Sequence, residues 1–460
     1  MEVRQSEESS LYESPLGTRY ASRAMARLFS EKHKAICWRK IWAILADEQR
    51  KLGLPISKAQ VSALEAGIEK VNLKRARTWE LKLKHDVMSH LKAYAEVAKK
   101  AEPIIHLGAT SAFVTDNAEA LIFREALHLI QSKILLILKE LNQQILKFAH
   151  LDMTGYTHFQ PAQPVTLGKR LGLWAQDLLW DFQEINEVLA KYRPLGCKGT
   201  TGTQASFMVL FNNDFRKVQA LDRGVVKRLG FDGPVALSGQ TLSRKMDVWM
   251  INALSNLAAS FSKISYDMRL LQHTGEVREP FGGDQVGSSA MPYKQNPMLA
   301  ERMTGLSRFL MSLSQNASWT HATQWLERSL DDSSNRRLVI PESFLTADAL
   351  CESAFRLVSG LRVDEVLIKR HLSHHRGLFE TEAQMMEGTM KGESRQKLHE
   401  EIRGKMLRSE IKLSAGTKWR ISGAAELQAR EFSKKILQPF LNREWKSRKP
   451  STDLFKKASV

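Results

Sequence analysis

The sequence predicts an all-α protein built around a bundle of long helices, on three observations. Its thirteen prolines are unevenly placed, with none between Pro103 and Pro161, Pro234 and Pro280, Pro297 and Pro341, or Pro341 and Pro439. Proline-free runs of that kind leave room for long helices. In two of them apolar residues recur at steps of three and four over several turns. Finally, no series of alternating strands and no internal repeat competes with this pattern.

In chain order, the first stripe is Leu127, Ile130, Ile134, Leu138, Leu141, Ile145 and Phe148. "TLGKRLGLWAQDLLWDFQEINEVLAKY" (166–192) is the second helix candidate. The third runs through Met250, Leu254, Leu257, Phe261, Ile264, Met268 and Leu271. Pro297 is placed to open a fourth over Met298 to Leu310, because proline at the first helical position removes only an N–H that would be unpaired anyway. Each stripe ends in polar or Gly/Pro-rich punctuation, which argues against an isolated coiled coil. Such interruptions set polar side chains at the ends of rigid walls.

At 460 residues the chain has room for two or three domains. Hydrophobic residues at 43% and charged residues at 26% are those of an ordinary globular protein. A net charge of +18, from 68 Lys+Arg against 50 Asp+Glu, favours anionic partners or is simply a basic soluble surface. Basic residues are denser only near the end, in "NREWKSRKPSTDLFKK". Without zinc-type Cys/His spacing or an RNA-binding aromatic signature, nucleic acid is not expected as a partner. Three distant cysteines fit a reducing compartment rather than a disulfide framework. The polar N-terminus and the lack of 18 consecutive apolar residues point to a cytoplasmic protein with no membrane contact.

The polar interruptions carry the chemistry. Gly287 to Asn296 reads as a loop holding Ser288, Ser289, Lys294 and Asn296: a nucleophile or base, a cation and an amide. His158 in "GYTHFQPAQP" (155–164) is either a structural histidine or an acid–base group beside Thr157 and Gln160. His85 and Asp86 lie in "KHDVMSH" (84–90), but adjacent residues on a helix do not face each other. In "IIHLGATSAFVTDN" (104–117), Thr110 and Ser111 either cap a helix or present hydroxyls to an anion. "GCKGTTGTQASF" (196–207) lacks the Lys-Ser/Thr ending of a P-loop and suits a small anion pocket better. In "QWLERSLDDSSNRR" (324–337), Arg328, Arg336 and Arg337 flank Ser333, a set that suits phosphate oxygens as well as a salt-bridged cap. Arg328 and Arg337 are nine residues apart, so on one straight helix they would point about 180° apart. The chain must bend near "DDSSN" for both to meet one ligand. No metal is expected, since the histidines fall in no ligand spacing.

"SPLGTRYAS", "HDVMSH", "IIHLGATS", "THFQPAQ", "KGTTGTQASF", "SGQT", "GSSAMPYKQNP" and "QWLERSLDDSSNRR" together resemble the fumarase/aspartase superfamily, and within it the adenylosuccinate lyase family. The blocks run from about residue 14 to 345, with a weaker one at 392–403. Gln295 stands where the family commonly has a basic residue, and the region after about 404 carries no block. The resemblance implies three mostly helical domains, 1–110, 111–363 and 364–460, the central long-helix bundle forming the core of a homotetramer with active sites shared between subunits. It implies elimination of fumarate from adenylosuccinate, giving AMP, and from the succinylo-carboxamide ribotide SAICAR, giving AICAR, without metal or organic cofactor. His158 is then the general acid with Glu301 orienting it, and Ser288 is the general base. A serine is a poor base, so Lys294, loop N–H groups and the dipole of the helix beyond Pro297 are expected to activate it. His85, with Asp86, helps hold substrate near the reacting groups. Thr110, Ser111, Lys294 and Asn296 have the chemistry to stabilise a doubly charged carboxylate intermediate, and Thr157 lies beside the acid. Gln240 resembles a substrate-binding amide, and Arg19, Tyr20, Arg328, Ser333 and Arg337 a phosphate site. Argininosuccinate lyase is the nearest alternative, but its substrate carries no phosphate. A non-catalytic relative and a basic nucleic-acid scaffold are the others.

Overall fold

The computed structural model describes residues 12–408 and 421–455. Lys456 and Lys457 of the basic C-terminal run lie outside them. The elements that position the site are α1 (Glu31–Lys51), α2 (Asp86–Val97), α3 (Ser111–Lys147), β1 (Asp152–Thr157), β2 (Gln160–Thr166), α4 (Leu167–Lys191), α5 (Lys245–Thr274), β3 (Val277–Arg278), α6 (Met298–Ala322), α7 (Asp331–Ser359), β4 (Arg362–Val363) and α8 (Glu365–Met390). Shorter helices fill the intervals, and the expected helical architecture holds. No described helix is long and apolar enough to cross a membrane.

Both stripes are buried. The residues of the first lie on α3 and at its C-cap, and those of the other on α5. The second candidate is α4, opened by Thr166, whose hydroxyl accepts the Lys169 N–H at 3.1 Å. Each buried Leu, Ile or Phe stabilises the bundle by roughly 1.5–3 kcal/mol. One contiguous apolar cluster reaches from Leu16 to Leu441.

Two features depart from the sequence reading. Pro341 lies inside α7 and does not end it, because packing on both flanks outweighs the one ladder hydrogen bond that proline removes. The interruption at 155–164 is not a loop but a β-hairpin, β1 pairing with β2 from Asp152↔Thr166 to Thr157↔Gln160. Its two prolines in β2 are tolerated because a two-stranded ribbon consists of edges. A second, two-residue ladder joins β3 to β4.

Helix directions follow from polar contacts between ends. Arg244, the N-cap of α5, bonds Asp116 near the start of α3 and Asp332 in the first turn of α7. Thr320 near the end of α6 meets Asn335 near the start of α7 at 3.2 Å. Trp174 near the start of α4 donates to Asp267 near the end of α5 at 2.7 Å. So α3, α5 and α7 run one way, and α4 and α6 the other. One pole of the bundle gathers the N-termini of α3, α5 and α7. The opposite pole gathers the hairpin and the start of α6. With 37 residues in α3, the poles are about 55 Å apart at 1.5 Å per residue.

Mid-bundle, Lys133 on α3 is fully buried, its Nζ 2.5 Å from Asp348 Oδ1 and also paired with Glu352, both on α7. Asp348 in turn accepts the Ser22 N–H at 2.6 Å. Lys133→Met keeps the stem but strands two buried carboxylates, and should lower stability by about 3–5 kcal/mol. Urea unfolding at fixed protein concentration measures it, and a change under 1 kcal/mol would remove this lock from the account.

Candidate active site

The first pole is assembled from loop ends. Lys84 adopts a left-handed backbone that closes the preceding helix, and His85 is the extended N-cap of α2. His85 Nδ1 accepts the Met88 N–H at 3.4 Å, so the proton of the neutral ring sits on Nε2, which lies 3.4 Å from Ser111 Oγ. Asp86 Oδ2 accepts from Arg337 at 2.8 Å. Thr110 occupies the N-cap position of α3 without spending its hydroxyl on a cap, which sets aside the plain capping reading. Leading into it, His106 and Gly108 have φ of 69° and 73°. His106 Nδ1 accepts the Trp42 indole N–H at 2.8 Å, and burial, aided by His85, pushes its imidazole down to about 4. This histidine was given no role in the sequence, where its one signal is its place two residues before Gly108 on the way to Thr110.

Gln240 gives its side-chain N–H to Thr200 C=O at 3.0 Å and its backbone N–H to Glu327 C=O at 2.9 Å, joining three loops. The break expected near "DDSSN" falls earlier, over 323–330, with Leu326 at φ 41°. Asp331 to Asn335 are already helical, since acidic residues in a first turn complement the helix dipole. Arg328 therefore sits before the helix, 3.5 Å from Asp332. Ser333 and Arg337, four apart, share one face of α7 beyond it. Beneath these groups lies a buried charge network. Asp116 accepts the Leu242 N–H at 2.7 Å, Arg244 pairs with Asp332 at 2.7 Å, and Arg336 pairs with Asp247 at 2.7 Å and Glu119 at 2.6 Å. Arg19 and Tyr20 do not join Arg328. Their segment is tied along α7 through Ser14 to Glu342 and Ser22 to Asp348, the latter eleven residues past Arg337, about 16 Å along the axis.

At the opposite pole, His158 and Phe159 form the two-residue turn of the β1–β2 hairpin with φ of 51° and 58°. Such turns favour Asn-Gly, and a left-handed backbone costs other residues about 1–2 kcal/mol each. His158 is exposed and has no side-chain partner among the described residues. Thr157 flanks it, paired with Gln160.

The loop after β3 shares this pole. Ser288 Oγ accepts the N–H groups of Ala290 at 3.3 Å and Met291 at 3.2 Å. Asn296 donates to Gly287 C=O at 2.8 Å, and a Cβ on Gly287 would stand 2.0 Å from Lys294 O, so only glycine closes the loop. Of the three expected activators of Ser288, the loop N–H groups are present. The Lys294 ammonium has no partner among the described residues. The helix dipole is already answered: Glu279, unassigned in the sequence reading, accepts the Leu299 and Ala300 N–H groups at 2.9 and 3.1 Å. Burial pushes the Glu279 carboxyl up while those two amides oppose the shift. Glu301, exposed in the first turn of α6, does not meet His158 within the chain.

One chain thus brings together His85, Asp86, Thr110, Ser111, Gln240, Arg328, Ser333 and Arg337 at one pole, and carries His158, Thr157, Ser288, Lys294, Asn296 and Glu301 at the other. Among the described residues no His/Cys/Asp/Glu group is arranged to hold a metal ion.

Residues 21–311 match the family described as "Lyase". The chain is 42% identical over 395 residues to the adenylosuccinate lyase of Saccharomyces cerevisiae, covering 85% of this chain and 82% of that one. It is 32% identical over 392 residues to the adenylosuccinate lyase of Pyrococcus horikoshii, covering 85% of each. Among solved structures, the 3-carboxy-cis,cis-muconate lactonizing enzyme of Pseudomonas putida superposes with a TM-score of 0.76 over 97% of this chain and all of that one, at 24% identity, a likeness of fold.

Proposed function

The chain belongs to the adenylosuccinate lyase family, and from that premise we propose that it eliminates fumarate from adenylosuccinate, leaving AMP, and from SAICAR, leaving AICAR. The observation that carries this reading is a pair of incomplete half-sites: anion-binding groups gathered at one pole, and at the other an amide-cradled serine and an exposed histidine with no side-chain partner among the described residues. The reaction removes a barely acidic proton from carbon beside a carboxylate and breaks the C–N bond one carbon away. Ser288 takes the proton, its Oγ supported by the Ala290 and Met291 N–H groups. His158 protonates the departing nitrogen, with Glu301 of another copy orienting it. Lys294, Asn296, Thr110 and Ser111 meet the doubly charged carboxylate, each donor contributing roughly 3–4 kcal/mol in a dry site. His85, held by Ser111, keeps the substrate in place, supported by Asp86, while Gln240 binds the substrate.

Groups about 55 Å apart cannot act on one molecule, so the reading requires association of copies in which opposite poles meet. We read 111–363 as the domain that associates, with 1–110 and 364–460 flanking it, in a cytoplasmic homotetramer. Exposed Leu173 and Trp180 on one face of α4, and Tyr266 and Leu270 on one face of α5, support self-association. Fumarate release from adenylosuccinate by the purified protein tests the function. No release at any substrate concentration would overturn it.

Arg328, Ser333 and Arg337 form the nucleotide phosphate site, with Arg19 and Tyr20 reaching it from elsewhere in the assembly. Losing one charged contact to phosphate should cost roughly 2–5 kcal/mol of binding. Arg328→Ala should therefore raise the KM for adenylosuccinate and weaken inhibition by AMP, while barely altering inhibition by fumarate, which has no phosphate. Equal losses for AMP and fumarate would move Arg328 to the carboxylate end.

A further inference from the structure

The loop that carries Ser288 and Lys294 is held at its base by two side chains outside it. Pro297, at the N-cap position of α6, offers no side-chain cap. The vacant role is filled from twenty residues upstream by Glu279, 2% exposed, whose Oε1 accepts the Leu299 N–H at 2.9 Å and whose Oε2 accepts the Ala300 N–H at 3.1 Å. Gln272, in the last turn of α5, accepts the Glu279 N–H on Oε1 at 3.0 Å and donates from Nε2 to Gln295 C=O at 2.9 Å. One residue thus grips where the loop leaves β3, and the same pair grips where it enters α6. Within the loop, Asn296, two residues before α6, ties the middle of 280–294 to this base through Gly287 C=O at 2.8 Å.

We propose that Glu279, held by Gln272, is a positioning residue that sets where the loop delivers Ser288 and Lys294 to the reacting carbon. This rests on the reading of Ser288 as the base. A carboxylate with both oxygens on successive amides fixes the rotation of the α6 start as well as its height. Lys294 and Asn296 lie four and two residues before that start, so tilting it displaces both. Glu279 touches neither substrate nor the Ser288 Oγ; it acts through the α6 amides.

The test is steady-state kinetics of the assembled enzyme. A displacement of about 1 Å at the reacting groups lowers turnover by up to about 10²-fold, so Glu279→Ala should lower kcat about 10–100-fold. The KM for adenylosuccinate should stay within about two-fold, because the phosphate and His85 groups lie at the other pole. Glu279→Gln, the same size with one acceptor left, should recover part of that loss. A kcat within two-fold of wild type for Glu279→Ala, or a KM rise that accounts for the whole loss, would overturn the proposal. Should Glu279→Ala not fold, Gln272→Ala decides: at least a ten-fold fall in kcat at unchanged KM supports it, and wild-type kcat overturns it. Wild type and Ser288→Ala run alongside. An inactive wild type or an active Ser288→Ala sinks the underlying reading. Correct behaviour of both controls with an active Glu279→Ala sinks this inference alone.

Discussion

His158→Ala and Ser288→Ala should each lower kcat about 10²–10⁴-fold, the contribution of a positioned acid or base, without loss of helix or assembly. His158 is exposed and its side chain is bonded to nothing among the described residues, so its removal breaks no described contact that holds the fold. The left-handed backbone at φ 51° introduces one confounding effect: alanine is strained there, and a shifted hairpin would imitate a lost acid. His158→Asn separates the two, since asparagine tolerates that backbone yet supplies no proton. Equal losses in the Ala and Asn variants assign the effect to the acid. For Ser288, the amides of Ala290 and Met291 that now bond its Oγ turn to water when the side chain is removed, and the loop keeps its ties through Asn296 and Gln272. Fumarate release with circular dichroism checks both variants. Near wild-type turnover in either removes that residue from the chemistry.

The long helices were legible because their stripes run for many turns, and a stripe of that length has one way to be buried. The helix through Pro341 was not, because one missing hydrogen bond is decided by packing that no local pattern records. The hairpin was hidden for a related reason. His158-Phe159 is an unusual pair for a tight turn, and Pro161 and Pro164 argue against a strand everywhere except on an edge. At the site, residue types were readable from local blocks, and Thr110 and Ser288 sit where hydroxyls remain usable. Glu279 was unreadable, since its partners Leu299 and Ala300 lie across a loop. The only hint was that α6 begins at a proline with no cap of its own. Nor does any motif record that α3 separates the blocks containing Ser111 and His158 by its full length.

That separation gives the last prediction. A mixture of His85→Ala and Ser288→Ala enzymes, each nearly inactive alone, should regain activity once subunits exchange. His85 lies at the pole formed by the N-termini of α3, α5 and α7, while Ser288 lies at the other. If one site draws its first pole from one copy and its loop from a second, each copy is the right parent half the time, and about a quarter of randomly mixed sites hold both intact groups. Activity should then rise toward about a quarter of wild type, far above the sum of the parents. Mixing His85→Ala with Arg337→Ala provides the contrast. Those residues are joined through Asp86 within one chain, by the 2.8 Å Arg337 contact, so no exchange can restore that pole. Exchange is confirmed by native mass spectrometry of differently tagged chains. Recovery in the first mixture and none in the second requires shared sites. Full exchange with no recovery in the first would place both groups in one chain's site, which the α3 length forbids, and the catalytic assignment of Ser288 or His85 would fall with it.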